Sequence, residues 1–399
     1  MKLCIIVDDF LPDSTKIAAK MMHELAVEYQ SQGHDVYVIT PDSYKKYGKL
    51  ANHLDFHNGI TIFRIPSGKL KNISKPIRLI NEFLLPFRAW FHGRNVIKKW
   101  NCDLVIYYSP SIFWGYLVQK LKQKWNAKSY LILRDIFPQW AIDNGLLKLK
   151  SPITKFFLYF ESQNYEAADT IGLMSDGNLR WFRNYYKGNA QLEVLYNWVS
   201  DFPVEIKQNT YRKRLGIEDK IVFFYGGNIG HAQDMSQILR LAKNLHENKN
   251  VYFVLVGLGD EVELVRNGIK RDSLSNMVLL DPVPQMEFKS MMAEFDVGLF
   301  CLNRSHSTHN FPGKILGYLV ESMPILGSVN PGNDLKEVIE TAKAGFVVEA
   351  GDDNGLLDAA NQLLDSKVRR LCAMNCKKLI YERFSVKKAS ESIIKICSN

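Results

Sequence analysis

The sequence predicts an α/β chain of two Rossmann-like halves, each a parallel sheet wound with helices. Three observations lead there. Short apolar runs, among them 3–7, 104–108, 221–225 and 252–256, read as parallel strands buried on both faces. Helix-period segments separate them, and the first strand, helix and strand form a right-handed crossover. At 399 residues and 46% hydrophobic, the chain can bury two ordinary cores.

Composition narrows the class. The six cysteines include no CxxC pair, so neither a zinc ribbon nor a disulfide framework is indicated, and a reducing cytosol suits them. The apolar start, 1–7, is too short for a signal peptide. No run reaches the roughly 18 apolar residues of a membrane span. A net charge of +9 is compatible with nucleic acid, an anionic membrane or an anionic small substrate.

In chain order, Asp13 and Ser14 are expected to cap a helix that runs to about Gln32, and Gly33 closes it before a strand at 36–40. The turn after the first strand lacks GxGxxG, so no dinucleotide fingerprint is present. Another strand is read at 60–65. Segment 69–99 carries Lys69, Lys71, Lys75, Arg78, Arg88, Arg94, Lys98 and Lys99 against Glu82 alone, interleaved with aromatic and aliphatic residues. It fits the headgroup region of an anionic bilayer, or an ordinary core helix with a basic outer face. Nothing resembles a base-reading module, so nucleic acid is the poorer partner.

Strands at 104–108, 129–133, 170–174 and 194–196 complete the first half, and Ser175 is placed to cap a helix. Arg134 and Asp135 follow the third of these runs, where open α/β sheets place ligand groups; a structural ion pair or a catalytic role fits them. Residues 197–211 read as the linker. In the second half, strands lead into Gly226-Gly227-Asn228-Ile229-Gly230-His231, into Gly257-Leu258-Gly259-Asp260, and into Asp281-Pro282-Val283-Pro284. The strand 297–301 leads into NRSHSTHNFPGKILGYL, where Pro312 and Gly313 break the loop and Lys314 opens a helix. A Gly-Lys pair at a helix start brings free N–H groups and an ammonium to one point, as a phosphate requires. Two glycine turns and Gly313-Lys314 at the carboxyl ends of one sheet indicate a nucleotide-diphosphate pocket. No GxxxxGK[ST] occurs, which argues against a P-loop NTPase.

The motifs IIVDDFLPDSTK, RDIFP, YNW, YGGNIGHAQ, LVGLGDE and HNFPGKILGYL with MPIL, in that order, resemble bacterial retaining glycosyltransferases of family 4 with the GT-B fold. Within that group they are most similar to N-acetyl-L-fucosamine transferases of O-antigen and capsule synthesis. The resemblance implies two facing Rossmann-like domains with a cleft between them. The expected division is 1–200 with the last helix, 384–399, as acceptor domain, and 201–383 as donor domain. It implies transfer of an N-acetylated deoxyhexose from a UDP-sugar to a polyprenyl-diphosphate-linked sugar, without a metal or other cofactor. The expected setting is the cytoplasmic face of the bacterial membrane, met through 69–99.

On this reading Asp135, Arg134, His309 and Lys314 are the catalytic candidates. Gly227, Asn228, Gly230, Gly257, Gly259, Asp281, Val283, Arg304, Asn310, Pro312, Gly313 and Lys314 would bind the donor. The spacing His306-x-x-His309 has no third ligand type beside it, so no metal site is assigned. Two glutamates usual in the family are replaced by His309 and Gly317, so their roles do not carry over. A UDP-sugar 2-epimerase and a non-catalytic, membrane-attached binding subunit are the alternatives on the same fold.

Overall fold

The computed structural model describes residues 1–12, 14, 16–43, 53–70, 73–143, 145–200, 210–304 and 311–398. The chain forms two compact units, Met1–Trp198 with Val386–Asn399, and Val199–Ser385. Both are Rossmann-like.

The first unit is built on strands β1 (Lys2–Ile6), β2 (Asp35–Ser43), β3 (His53–His57), β4 (Ile60–Ser67), β5 (Leu104–Tyr108), β6 (Lys128–Leu133), β7 (Thr170–Leu173) and β8 (Gln191–Val194). They lie in the order β3-β4-β2-β1-β5-β6-β7-β8, all parallel except the β3–β4 hairpin. Leu3 to Ile6 are fully buried because helices cover both faces of β1. The chain leaves β1 towards β2 and returns to β5 on its other side. The crevice at the carboxyl ends of β1 and β5 is therefore the topological switch point, where such sheets bind ligands.

Three local differences from the sequence reading have physical causes. The first helix is Ile17–Ser31, and its N-cap, Lys16, makes no side-chain cap. Ser14 instead accepts the Lys16 N–H at 3.2 Å in the preceding turn, while Asp13 lies outside the described residues. Strand β3 was not foreseen. Asn58 and Gly59, at φ 50° and 77°, make the two-residue turn that joins it to β4, so an Asn-Gly hairpin signal was present. The basic segment becomes one helix only from Lys75 to Ile97, with Pro76 in its first turn. Ser175 caps the Asp176–Tyr185 helix as expected, accepting the Asn178 N–H.

After the second unit the chain returns to the first. The Val386–Ile394 helix packs on Ile17–Ser31, where the Tyr29 hydroxyl donates to the Ser390 carbonyl at 3.2 Å and Gln32 donates to the Ser390 hydroxyl at 2.9 Å. Ile393 and Trp198 join Leu25 and Tyr29 in one buried cluster.

The second unit is an all-parallel sheet of β9 (Ile221–Gly226), β10 (Val251–Val256), β11 (Met277–Leu280), β12 (Val297–Cys301), β13 (Ile325–Val329) and β14 (Gly345–Glu349), in the order β11-β10-β9-β12-β13-β14. Its switch point lies between β9 and β12. Among the described residues no helix is long and apolar enough to cross a membrane.

Ile393→Ala should destabilise the first unit by about 2–5 kcal/mol, because a fully buried side chain is lost from that cluster. Urea unfolding followed by tryptophan fluorescence reads the change.

Candidate active site

The second unit's switch point is assembled by backbone contacts. After β9, the Gly227 N–H donates to the Val256 carbonyl at 2.9 Å, and the Ile229 N–H donates to Leu258 at 2.8 Å. The turns after β9 and β10 are thus laid one upon the other. A Cβ at Gly257 would stand 1.8 Å from the Gly227 carbonyl oxygen, and one at Gly259 would stand 2.0 Å from that of Ile229. Those glycines are required by the approach of one turn to the other. Asn228 donates to the Gln233 side chain at 2.8 Å, which fixes the rest of the first turn. His231 lies between the Asp260 and Glu261 carboxylates at 3.2 and 2.9 Å.

Beside these turns is a cavity of about 280 Å³. Gly227, Asn228, Gly257 and Leu258 line one part, and Pro282, Val283 and Phe288 another. Asp281 is turned out to solvent, 3.7 Å from Arg266, so the wall begins at Pro282.

The helix Gly313–Val320 follows Pro312 and brings Lys314 to the same place. Its Nζ sits 3.5 Å from the Tyr225 ring centroid, and a Cβ at Gly227 would be 3.7 Å from it. It is removed from solvent and has no hydrogen-bond partner among the described residues. Burial lowers its pKa to about 7, opposed only in part by Cys301 beneath it. A buried ammonium with a ring face and no acceptor is an incomplete ion site, and an anion would complete it.

Tyr318, which the sequence reading passed over, holds this geometry. Its hydroxyl accepts the Gly226 N–H at 3.0 Å and donates to the Leu299 carbonyl at 3.1 Å, so one side chain ties the helix to both β9 and β12. It falls one helical turn after Lys314 on the same face, and that spacing was the available signal. The Arg304 guanidinium approaches Gly351, after β14, with Nη1 3.9 Å from where a Cβ would be. His309 and Asn310 lie outside the described residues.

In the first unit, Arg134 and Asp135 part company. The Arg134 guanidinium donates to the carbonyls of Leu133, Gly172 and Tyr196 at 3.3–3.5 Å and lies over the Trp198 ring at 5.7 Å. Burial lowers its pKa to about 10. It braces the carboxyl ends of β6, β7 and β8. Asp135 is exposed beside it, and its carbonyl accepts the Ser109 hydroxyl at 3.1 Å. A second carboxylate, Asp8, stands at the β1–β5 switch point and accepts the Trp114 indole N–H at 2.9 Å. Burial, reinforced by Glu82, raises its pKa to about 7. Nothing in the sequence ties Asp8 to Trp114, which the fold alone brings together.

Residues 18–201 match the family described as Glycosyltransferase Family 4, and residues 207–382 match Glycosyl transferases group 1. WcaI of Escherichia coli (strain K12), named for glycosyl transfer in colanic acid biosynthesis, is 22% identical over 360 residues, 86% of each chain. The N-acetyl-alpha-D-glucosaminyl L-malate synthase of Bacillus anthracis is 21% identical over 376 residues, 92% of this chain and 89% of its own. Among solved structures, Anabaena Alr3699/HepE in complex with UDP superposes with a TM-score of 0.69 at 14% identity, over 100% of both chains.

The Lys314 ammonium makes anion affinity depend on pH. Free Lys314 loses its proton as pH rises through about 7, whereas a bound diphosphate holds it protonated, so binding takes up a proton above that pH. Pyrophosphate affinity measured by calorimetry should therefore weaken as pH rises from about 7, by up to about tenfold per unit. Lys314→Met should remove that component, and the difference between the two proteins cancels the titration of pyrophosphate itself. Gly257→Ala should abolish binding, because the turn after β9 must move to admit the methyl group.

Proposed function

Its two halves being glycosyltransferase domains, the chain is a glycosyltransferase, and from that premise we propose that it transfers N-acetyl-L-fucosamine from UDP, with retention, to a sugar carried on a polyprenyl diphosphate. The single observation that carries the donor half is the Lys314 ammonium, without a hydrogen-bond partner among the described residues and placed over Tyr225 and against Gly227 at the β9–β12 switch point. The cavity between Gly257 and Val283 takes the base, with main-chain groups and Pro282 as its walls. The solved relative with UDP supports a uridine diphosphate donor.

As the anomeric bond stretches, positive charge builds on the sugar ring and negative charge on the departing diphosphate. Lys314, its helix N-terminus and the N–H groups of Asn228 and Gly230 balance the second charge, so the proposed chemistry runs without a metal ion. His309 and Asn310, which lie outside the described residues, are assigned to position the sugar by their place in the loop before Lys314. Asp135, exposed past the end of β6, orients the acceptor hydroxyl. Arg134 supports it from behind, since both terminal nitrogens of its guanidinium are engaged by main-chain carbonyls.

The sugar, the retention and the lipid carrier rest on the order of the motifs, and a relative named for colanic acid biosynthesis supports a role in making a polysaccharide. A lipid-borne acceptor gives the basic 69–99 segment a reason to meet an anionic membrane from the cytoplasmic side.

Incubating the purified protein with UDP-N-acetyl-L-fucosamine and a short-chain polyprenyl-diphosphate-GlcNAc should yield the lipid disaccharide by mass spectrometry. Absence of product with UDP still bound would reject the sugar or acceptor and keep the donor site. Release of an epimerised sugar without acceptor would favour the 2-epimerase. Lys314→Ala should lower turnover by about a hundredfold or more if it meets the departing phosphate, and unchanged turnover removes it from the mechanism.

A further inference from the structure

The Lys75–Ile97 helix is apolar on two faces. Leu85, Ala89, Gly93 and Ile97, spaced by four, are buried against the first unit's core. A second stripe, Ile77, Ile80, Leu84, Phe87 and Phe91, alternates spacings of three and four. At about 100° per residue, the two stripes are centred roughly 180° apart. The ends of the second stripe face outward, with Ile77, Ile80 and Phe91 exposed by 54%, 57% and 63%, while Leu84 and Phe87 between them are half-buried and Phe87 packs on Tyr116 at 4.7 Å. A core helix with a basic outer face would carry no such stripe.

Phe83, packed on Phe87 of the stripe at 5.4 Å, joins it to the Pro152–Glu166 helix and the turn before it. Phe83 meets Phe160 and Phe156 at ring centroids 5.4 and 6.0 Å apart, and Phe156 meets Phe157 at 5.7 Å. Phe157 meets Phe137 at 4.9 Å, and Phe137 meets Trp140 at 6.0 Å. At the far end, Leu146 and Leu149 are exposed by 69% and 59%. Lys148, Lys150 and Lys155 border this end, as Lys75 borders the other. The acids nearby are engaged: Glu82 receives Arg78 at 2.7 Å, Asp143 receives Gln139 at 2.7 Å, and Glu161 is buried between Tyr165 and Tyr185.

We infer that this face, from Ile77 to Phe91 and from Trp140 to Tyr159, docks on an anionic lipid bilayer, with the 146–150 turn as its second anchor. Aromatic and aliphatic groups enter the headgroup boundary, and the flanking lysines meet lipid phosphates. A second copy is the poorer occupant, because pairing the face with itself would oppose like charges. The inference rests on the reading that the acceptor is lipid-borne, and it adds a contact that the basic 69–99 segment does not contain.

Co-sedimentation with vesicles of phosphatidylglycerol and phosphatidylethanolamine, at low and high salt, tests it. Wild type should bind them and not phosphatidylcholine vesicles. Replacing Leu146 and Leu149 by Ser, with Lys148 and Lys150 by Gln, should weaken binding by about tenfold or more while UDP affinity and Tm stay unchanged. Undiminished binding by that variant overturns the second anchor; if Ile77→Ser with Ile80→Ser then abolishes binding, the contact of 69–99 stands alone. No vesicle binding by wild type, or a dimer that the same substitutions dissociate, overturns the membrane face altogether. Transfer to detergent-solubilised acceptor, with no bilayer present, reports separately on the proposed reaction.

Discussion

A lysine ammonium held away from water on the face of a tyrosine ring is the interaction on which the second unit's site depends. Burying an uncompensated charge opposes folding, and the cation–π contact with Tyr225 offsets only part of that cost. Every neighbouring feature keeps the arrangement in place. Tyr318 ties the helix of Lys314 to both strands of the switch point, and the stacked turns hold Gly227 beneath the ammonium. The site is therefore preformed and electrostatically incomplete, which favours a ligand that brings negative charge.

The first unit handles its buried cation in the opposite way. Arg134 has carbonyl oxygens around it and the Trp198 ring below, so its charge is spent on the scaffold. Two basic residues at carboxyl ends of sheets can thus look alike in sequence and differ in chemistry. What separates them is whether the fold supplies acceptors. For Lys314 it supplies none among the described residues.

The strands were legible because a parallel strand buried on both faces is a continuous apolar run, and the two-sheet architecture follows from their alternation with helices. The β3–β4 hairpin was lost because a five-residue edge strand with polar positions gives no such run. At the site, the glycine turns stood out by composition, but their purpose did not. Gly257 answers to a carbonyl some thirty residues earlier, a distance that no local pattern reveals. The state of Lys314 was equally hidden, because Tyr225 and Cys301 come from two other strands. The second apolar stripe of Lys75–Ile97 was present as periodicity, yet only the position of the sheet shows which stripe is inward.

The return of Val386–Ile394 to the first unit makes Val199–Ser385 an insertion. Its two ends meet: the Val199 N–H donates to the Phe384 carbonyl at 2.9 Å, and Val199 bridges Ser385. During synthesis, the surface that Tyr29 and Leu25 offer to the last helix stays uncovered until the whole insertion has been translated, roughly ten to forty seconds at about 5–20 residues per second. The second unit can complete its own sheet within that interval, while the first unit cannot complete its core. The order of maturation is thus the reverse of the order of translation, and a chain released early would carry a finished second unit on an unfinished first one.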